Sequence, residues 1–478
     1  MLTTIDENVP TAIRRESPSP FRAMLEGVFE MLDAAGIAYC VLNGNETLAD
    51  HTGSDVDCII DARIGQAELL RLFHANRAQF NASVIRVMGL HLTLAGRDSD
   101  GSAILLELDF SRDCVAGGIW LCAGSEVLES RIRHGKFWIP APASEFGCYL
   151  GRTIAKARFD GSRGNKLLDL YRRDPIGCEA QVSRLWKGEQ AGFVISSLLS
   201  GEWGKIQGQQ RALRARLWRR ALTLASWQSA KLAIEGQLNR IGRLLRPHGL
   251  STVFLGPDGA GKSSTVDAVQ TILAPVFSRT VCWGFAPPLR RLLRRKPTPT
   301  NQPHALAPRS LPVSLLRVAY WLLFNTLGSV HLRFATVRST LVLYDRHFID
   351  ILVDPVRYRY GGPKGLLKFV WWLAPKPDLV VLLHAPPEVL QARKQEVPIE
   401  VTARQLSDYL ALVRTLPYGR CIDAGQPHRR VANDVSSLIV QFLAQRIEQR
   451  FDLASPGENR VPSKPSPVQE WPSAQPGK

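Results

Sequence analysis

The sequence predicts an α/β protein: a parallel sheet with flanking helices at its C-terminal end, preceded by an α+β unit and a helical connector. Three observations carry this. After Arg246-Pro247, short and continuously apolar runs alternate with helical segments, as strands buried on both faces do. The first of these runs ends in a glycine-rich loop that opens a helix. Before residue 111, by contrast, alternating strands follow one another with few helices between them. With 478 residues and a prior of about 150 per domain, roughly three units are expected. We divide the chain into an α+β unit over 1–140, a helical region over 141–247, an α/β unit over 248–452 and a tail over 453–478.

In the first unit, spacing predicts an amphipathic helix near Phe21–Ala35 and strands at Ala38–Leu42 and Val56–Ile60. A helix near Gly65–Ala75 and strands around Ser83–Val87, His91–Ala95 and Ile104–Phe110 follow. Ser144–Arg173 has helical spacing with a glycine-rich interruption at Asp160–Asn165, and Arg211–Leu245 reads as a long helix with an arginine-rich face. In the third unit the expected strands are Ser251–Leu255, Thr280–Trp283, Thr340–Tyr344, Asp378–His384 and Arg420–Asp423, with a last helix near Val431–Arg450. Beyond Leu453, Pro, Ser, Gly and Gln dominate, a composition with too little apolar surface to offset ordering entropy.

Hydrophobic residues make up 45% and charged residues 22%, which excludes a fibre and wholesale disorder. The net charge of +17 invites a polyanion-binding reading, but it is unevenly distributed. Residues 1–140 hold 12 basic and 19 acidic side chains, residues 141–247 hold 19 and 8, and residues 248–452 hold 26 and 14. An acidic unit precedes two basic ones, which suits phosphate-rich substrates better than nucleic acid, for which no reading motif is present. Eight cysteines show neither a Cys-x-x-Cys pair nor Cys/His ligand spacing, so neither a zinc site nor a disulfide framework is expected. No secretory signal is visible, and the expected compartment is the reducing cytoplasm. Val313–Phe334 is long enough to span a bilayer but carries Arg317, Asn325 and His331, which favours a buried or interfacial helix.

The segment Gly256-Pro-Asp258-Gly259-Ala260-Gly261-Lys262-Ser263-Ser264 matches G-x-x-x-x-G-K-[ST] between an apolar strand and a helix. Its glycines let backbone N–H groups turn toward a triphosphate, and the helix opening near Lys262 aims its positive end at the same charge. The nucleotide-binding set is therefore Gly256, Asp258, Gly259, Ala260, Gly261, Lys262, Ser263 and Ser264, for ATP with Mg²⁺. Lys262 is expected to bridge the β and γ phosphates and Ser263 to ligate the metal.

These residues resemble the loop of the thymidylate kinase family, a P-loop NTPase fold whose loop carries an Asp-Gly pair before Gly-Lys-Ser/Thr. Leu341-Val-Leu-Tyr344-Asp345-Arg346-His347 looks like that family's strand ending in Asp-Arg-Tyr, and Lys376-Pro-Asp-Leu-Val-Val-Leu-Leu-His-Ala-Pro-Pro387 like its fourth strand. Cys421-Ile-Asp-Ala424 is similar to the final strand near the adenine site. Asp345, at the C-terminal end of a parallel strand, can hold Mg²⁺ through water or orient the acceptor. Arg346 suits an acceptor phosphate or the migrating phosphoryl. With Lys262 these two form the catalytic set. Arg393 and Lys394 are read either as a lid over phosphates or as a solvated face. The acceptor half departs from the family: Trp283-Gly-Phe-Ala-Pro-Pro288 stands where Arg-Glu-Pro-Gly is expected, and His347 leads to Asp350, Asp354, Arg357 and Tyr358. Arg290, Arg291, Arg294, Arg295 and Lys296 read as a gathering point for an anionic acceptor or anionic lipid, or as a solvated loop.

A second constellation lies near the start. Asp55 and Asp57 are two apart on a strand and face the same way, while Asp109 lies on another strand with Glu107 two before it. Three converging carboxylates call for cations, so Asp55, Asp57 and Asp109 are a candidate metal set. With Gly44-Asn45 and Gly53-Ser54, the pattern resembles the nucleotidyltransferase superfamily typified by DNA polymerase beta, although Asn45 stands at a position where that family has Gly or Ser. Arg152, Lys156 and Lys166 either contact nucleotide phosphates or balance the acidic sheet.

The expectation is ATP-dependent phosphoryl transfer to a nucleoside monophosphate, dTMP or a related acceptor, beside an N-terminal nucleotidyltransferase-like module. The alternatives are a sugar or lipid-linked acceptor of bacterial surface-polysaccharide synthesis, with peripheral membrane contact, or a non-catalytic ATP-binding regulator.

Overall fold

The computed structural model describes residues 19–42, 55–98, 103–224, 248–274, 276–283, 307–395 and 397–453. Gly44, Asn45, Gly53, Ser54, the basic run 290–296, the continuation of the arginine-rich helix past Leu224 and the tail lie outside them.

The first unit runs α1 (Pro20–Ala34), β1 (Tyr39–Val41), β2 (Val56–Ile60), α2 (Gln66–Ala75), β3 (Ala82–Met88), β4 (His91–Arg97) and β5 (Ala103–Ser111). Its sheet has the order β1-β2-β5-β4-β3. β2 and β5 are parallel, and every other pairing is antiparallel. The parallel pair sets Asp57 directly across from Asp109. Residues 113–140, for which the periodicity predicts nothing, form two short hairpins around a helix. These are β6 (Asp113–Ala116), β7 (Ile119–Ala123), α3 (Gly124–Glu129), β8 (Arg131–His134) and β9 (Phe137–Pro140). Their strands are four or five residues long, and β6 and β8 bury only two residues and none, leaving no apolar run to mark them.

Five helices follow: α4 (Pro142–Ala155), α5 (Gly161–Arg173), α6 (Pro175–Leu185), α7 (Glu189–Leu199) and α8 (Trp203–Leu224). The interruption expected at Asp160 is a cap, with the Asp160 carboxylate accepting from the Arg163 amide at 2.9 Å and opening α5. Asp174 similarly caps α6. These helices share one hydrophobic core with β6, β7 and with Cys40 and Ile59 of the first sheet, so they pack on that unit and do more than connect.

The last unit runs β10 (Leu250–Leu255), α9 (Lys262–Ile272), β11 (Arg279–Trp283), α10 (Leu311–Val337), β12 (Thr340–Tyr344), α11 (Ile349–Val353), α12 (Lys364–Leu373), β13 (Leu379–His384), α13 (Pro387–Arg393), α14 (Ile399–Arg414), β14 (Gly419–Asp423) and α15 (His428–Phe451). The five strands are all parallel, in the order β11-β12-β10-β13-β14. Val253–Leu255, Leu341–Leu343 and Leu379–Leu383 are fully buried, because helices cover both faces; this is why the strands read as unbroken apolar runs. β10 is central: from it the chain crosses to the edge strand β11 and returns to β12, then passes over to β13 on the other side. The crevice at its C-terminal end is thus the topological switch point where such sheets bind ligands.

α15 joins the two sheets. It packs on α9 through Val435 and Ile439 and on β3 of the first unit, and Ile447 enters the first unit's core. Arg446 donates to the backbone carbonyls of His248 and Gly249, and the His248 ring meets the Val87 carbonyl at 2.9 Å.

Leu343→Ala, at a fully buried position, is expected to lower unfolding free energy by about 2–5 kcal/mol. Urea denaturation of the folded variant measures it; a loss below about 1 kcal/mol would show a strand less tightly packed than described.

Candidate phosphoryl-transfer site and the carboxylate pair

Gly261 has φ +78°, the left-handed conformation that glycine tolerates, and stands as the N-cap of α9 without a side-chain cap. The first-turn N–H groups of α9 therefore remain available to an anion. Gly259 also has positive φ, and a Cβ there would lie 2.6 Å from the Leu390 carbonyl oxygen, so only glycine lets the loop pass α13 so closely. Ala260 is buried beneath the loop.

Because β10 and β12 are parallel neighbours, Asp345, following β12, comes beside the start of α9. The Ser263 hydroxyl donates to the Asp345 carboxylate, with Oγ 3.1 and 3.2 Å from its two oxygens. A hydroxyl and a carboxylate meeting at an uncapped helix start are hard oxygen donors of the kind Mg²⁺ takes, and the pair fits that ion. Lys262 folds back on the loop, its Nζ 2.6 Å from the Gly256 carbonyl oxygen and 3.0 Å from that of Pro257. Burial pulls its pKa down, opposed by the carboxylates of Asp350, Asp258 and Asp345.

Lys262 and Arg346 line one pocket together with Gly256, Asp258, Asp350 and Arg357. Asp258 is paired with Arg357 at the edge of this pocket. Asp350 is fully buried; it accepts from the Tyr409 hydroxyl at 2.7 Å and from the His347 amide at 2.9 Å. Burial nevertheless pushes its pKa upward. Asp354 accepts from Gln405 at 2.8 Å and from the Arg357 amide at 3.0 Å. Asp350 lies in the short helix α11 and Asp354 is its C-cap; their spacing of four is the trace that this pair leaves in the sequence. His347 is a structural residue, held neutral by burial that lowers its pKa to about 3, with its ring edge-on to Tyr344 and Trp371. Beside it, Trp283, Trp321, Phe324, Asn325 and Arg346 line a second pocket against α10.

Arg393 donates to the Ala424 carbonyl at 2.8 Å, tying α13 to the turn after β14, a contact that neither the lid nor the solvated-face reading describes.

In the first sheet, Arg152 of α4 pairs with Asp57. Of the two readings for the basic set, Arg152 thus balances the sheet, and Lys166 pairs with Glu145 at 3.1 Å. Although Asp57 and Asp109 are in register, the three carboxylates of Asp55, Asp57 and Asp109 do not gather within 4.8 Å as a ligand group among the described residues. The arrangement does not fit a shared metal as described, because a guanidinium already neutralises Asp57. Glu107 pairs instead with Arg86 at 2.5 Å. Eight dispersed cysteines led to no expectation of a cluster, yet Cys114, Cys122 and Cys148 come together.

No family model matches the chain, and no curated protein does. Among solved structures, the thymidylate kinase of Candida albicans aligns with 17% identity, covering 40% of this chain and 92% of that one, at a TM-score of 0.31. The parallel sheet with its phosphate loop defines a P-loop-type α/β fold in the C-terminal unit.

Burial, together with a hydrogen bond to Asp55, raises the Glu107 carboxyl from 4.5 to about 7 against the pull of Arg86. The folded state then holds a proton that the unfolded chain releases, so this contribution is full below pH 4.5 and is lost as pH rises to about 7. Glu107→Gln is expected to flatten the fall in denaturation midpoint between those pH values. An unchanged profile in the variant would remove Glu107 as its source.

Proposed function

We propose that the C-terminal unit, over residues 248–452, transfers the γ-phosphoryl of ATP to a small acceptor, with a nucleoside monophosphate such as dTMP as the leading candidate. The observation that carries this reading is the Ser263–Asp345 pair beside an uncapped helix start, with Lys262 and Arg346 facing one pocket. Mg²⁺ bound with ATP would supply charge neutralisation on the phosphates, held at Ser263 and Asp345. The loop amides and Lys262 would bind the triphosphate, and Arg346 would orient the incoming oxygen and stabilise charge on the transferring group. Arg357, fixed by Asp258, adds a second cation on the acceptor side, which favours a phosphorylated acceptor. The first unit, over residues 1–140, is read as nucleotidyltransferase-like, on the support of the parallel β2–β5 pairing that sets Asp57 beside Asp109.

ATP consumption with nucleoside monophosphates, sugars and lipid-linked sugars tests the reading. Lys262→Ala is expected to lower turnover at least about 100-fold, and Asp345→Asn to raise the Mg²⁺ concentration needed for half-maximal rate. Absence of turnover with every acceptor would leave the regulatory alternative.

A second reading, a membrane-held acceptor, is favoured by α10. This helix is long and apolar enough to cross a membrane. One stripe, including Val318, Trp321 and Leu332, is buried, while Leu316, Leu323, Leu327 and Phe334 are exposed. Neighbouring α12 exposes Phe369 and Trp372 between Lys364, Lys368 and Lys376. Apolar surface flanked by cations suits peripheral contact with an anionic bilayer. Vesicles with anionic lipid are expected to sediment the protein and neutral vesicles much less, with Leu316→Asp/Trp372→Asp reducing capture at least about fivefold. Equal behaviour of the two proteins would count against membrane contact.

A further inference from the structure

Cys114 and Cys122 are cross-strand partners in the β6–β7 hairpin, and Cys148 reaches them from α4. All three Sγ atoms lie within 4.8 Å of one another, and those of Cys122 and Cys148 are 3.8 Å apart. No other trio of His, Cys, Asp or Glu among the described residues brings its ligand atoms so close. A zinc–sulfur bond of about 2.3 Å sets neighbouring sulfurs about 3.8 Å apart in a tetrahedral site and about 4.0 Å apart in a trigonal one. The thiols thus already stand near coordination spacing. A disulfide needs about 2.05 Å and would require the sulfurs to close by more than an ångström.

Hydrogen bonding among the thiols, with burial, raises the pKa of Cys114 and Cys148, but positive charge stands close by. Arg184 and Arg220 favour the Cys122 anion, and Arg152 favours that of Cys114. The Cys122 and Cys148 sulfurs are in hydrogen-bonding contact, either one able to donate. Cys114 and Cys148 are buried, while Cys122 is half-buried and gives a route of entry. Three thiolates around a divalent cation carry one net negative charge, which the neighbouring guanidinium groups offset.

We propose that Cys114, Cys122 and Cys148 form a binding site for a soft d¹⁰ cation, Zn²⁺ or Cu⁺, that staples the β6–β7 hairpin to α4. Binding forms three metal–sulfur bonds, breaks the S–H bond of each cysteine that is still a thiol and releases those protons to solvent. The site lies in the core shared by the first sheet and the helices, apart from the phosphate loop, and depends on neither ATP nor an acceptor.

The test uses the full chain, purified under reducing conditions, stripped by chelator and dialysed separately against Zn²⁺ and against Cu⁺ kept reduced. Elemental analysis is expected to find one equivalent per chain of at least one of the two ions, with thermal unfolding shifted upward by several degrees and restored by chelator. Binding of only one ion assigns the metal within the proposed class. Cys122→Ala and Cys148→Ala are expected to lose the equivalent and the shift, while a Cys282→Ala/Cys421→Ala control keeps both. Circular dichroism and the metal-free melting temperature establish that each variant folds. Less than about 0.2 equivalents in the wild type, or retention of the metal by both cluster variants, would overturn the proposal. So would a Cys122–Cys148 disulfide that persists in the reduced protein.

Discussion

The site depends on one constraint: β10 and β12 lie side by side and parallel, buried on both faces. Parallel neighbours end at the same edge of the sheet, so the loop leaving one and the carboxylate following the other must meet there. Ser263 and Asp345, 82 residues apart, come within hydrogen-bonding distance for that reason. Gly261 as an uncapped N-cap then leaves the α9 amides free to complete the same concave, positively polarised edge. Neither the hydroxyl–carboxylate pair nor the Lys262 contacts would persist if a helix were lost from either face, since the strands have no polar face to turn to water.

The pocket beside the loop rests on a different balance. Asp258, Asp350 and Asp354 are all held by named donors, namely Arg357, Tyr409 with the His347 amide, and Gln405 with the Arg357 amide. Buried carboxylates without such partners would be costly, and removing one partner would leave a charge unpaired. The network fixes where Arg357 points in the pocket. In the first sheet the same logic gives another result: Arg152 supplies the positive charge that the Asp57–Asp109 pair calls for.

The two sheets are one packed body in the described residues because α15 is shared. Its residues Val435 and Ile439 face the second core and Ile447 the first, while Arg446 caps the carbonyls at the start of β10. Charge segregation along the chain, acidic first and basic after, becomes local pairing where the helices of the second unit meet the first sheet.

The sequence by itself determined the parallel-sheet strands, to within a residue or two at their ends, and the phosphate loop, because both are set by short-range rules: unbroken apolar runs and glycine positions. It also placed Asp345 at a strand end, whereas Asp55, expected on a strand with Asp57, precedes β2. The hairpins of residues 113–140 escaped it, since β6 and β8 bury only two residues and none, leaving no apolar run to mark them. Tertiary structure alone decided three things. Ser263 pairs with Asp345, Arg152 occupies Asp57, and Cys114, Cys122 and Cys148 share one core. Ser263–Asp345, Arg152–Asp57 and Cys122–Cys148 join separate elements 82, 95 and 26 residues apart, and no local period encodes which elements pack together. Those contacts follow from burying apolar faces against one another, and the polar groups meet only as a consequence.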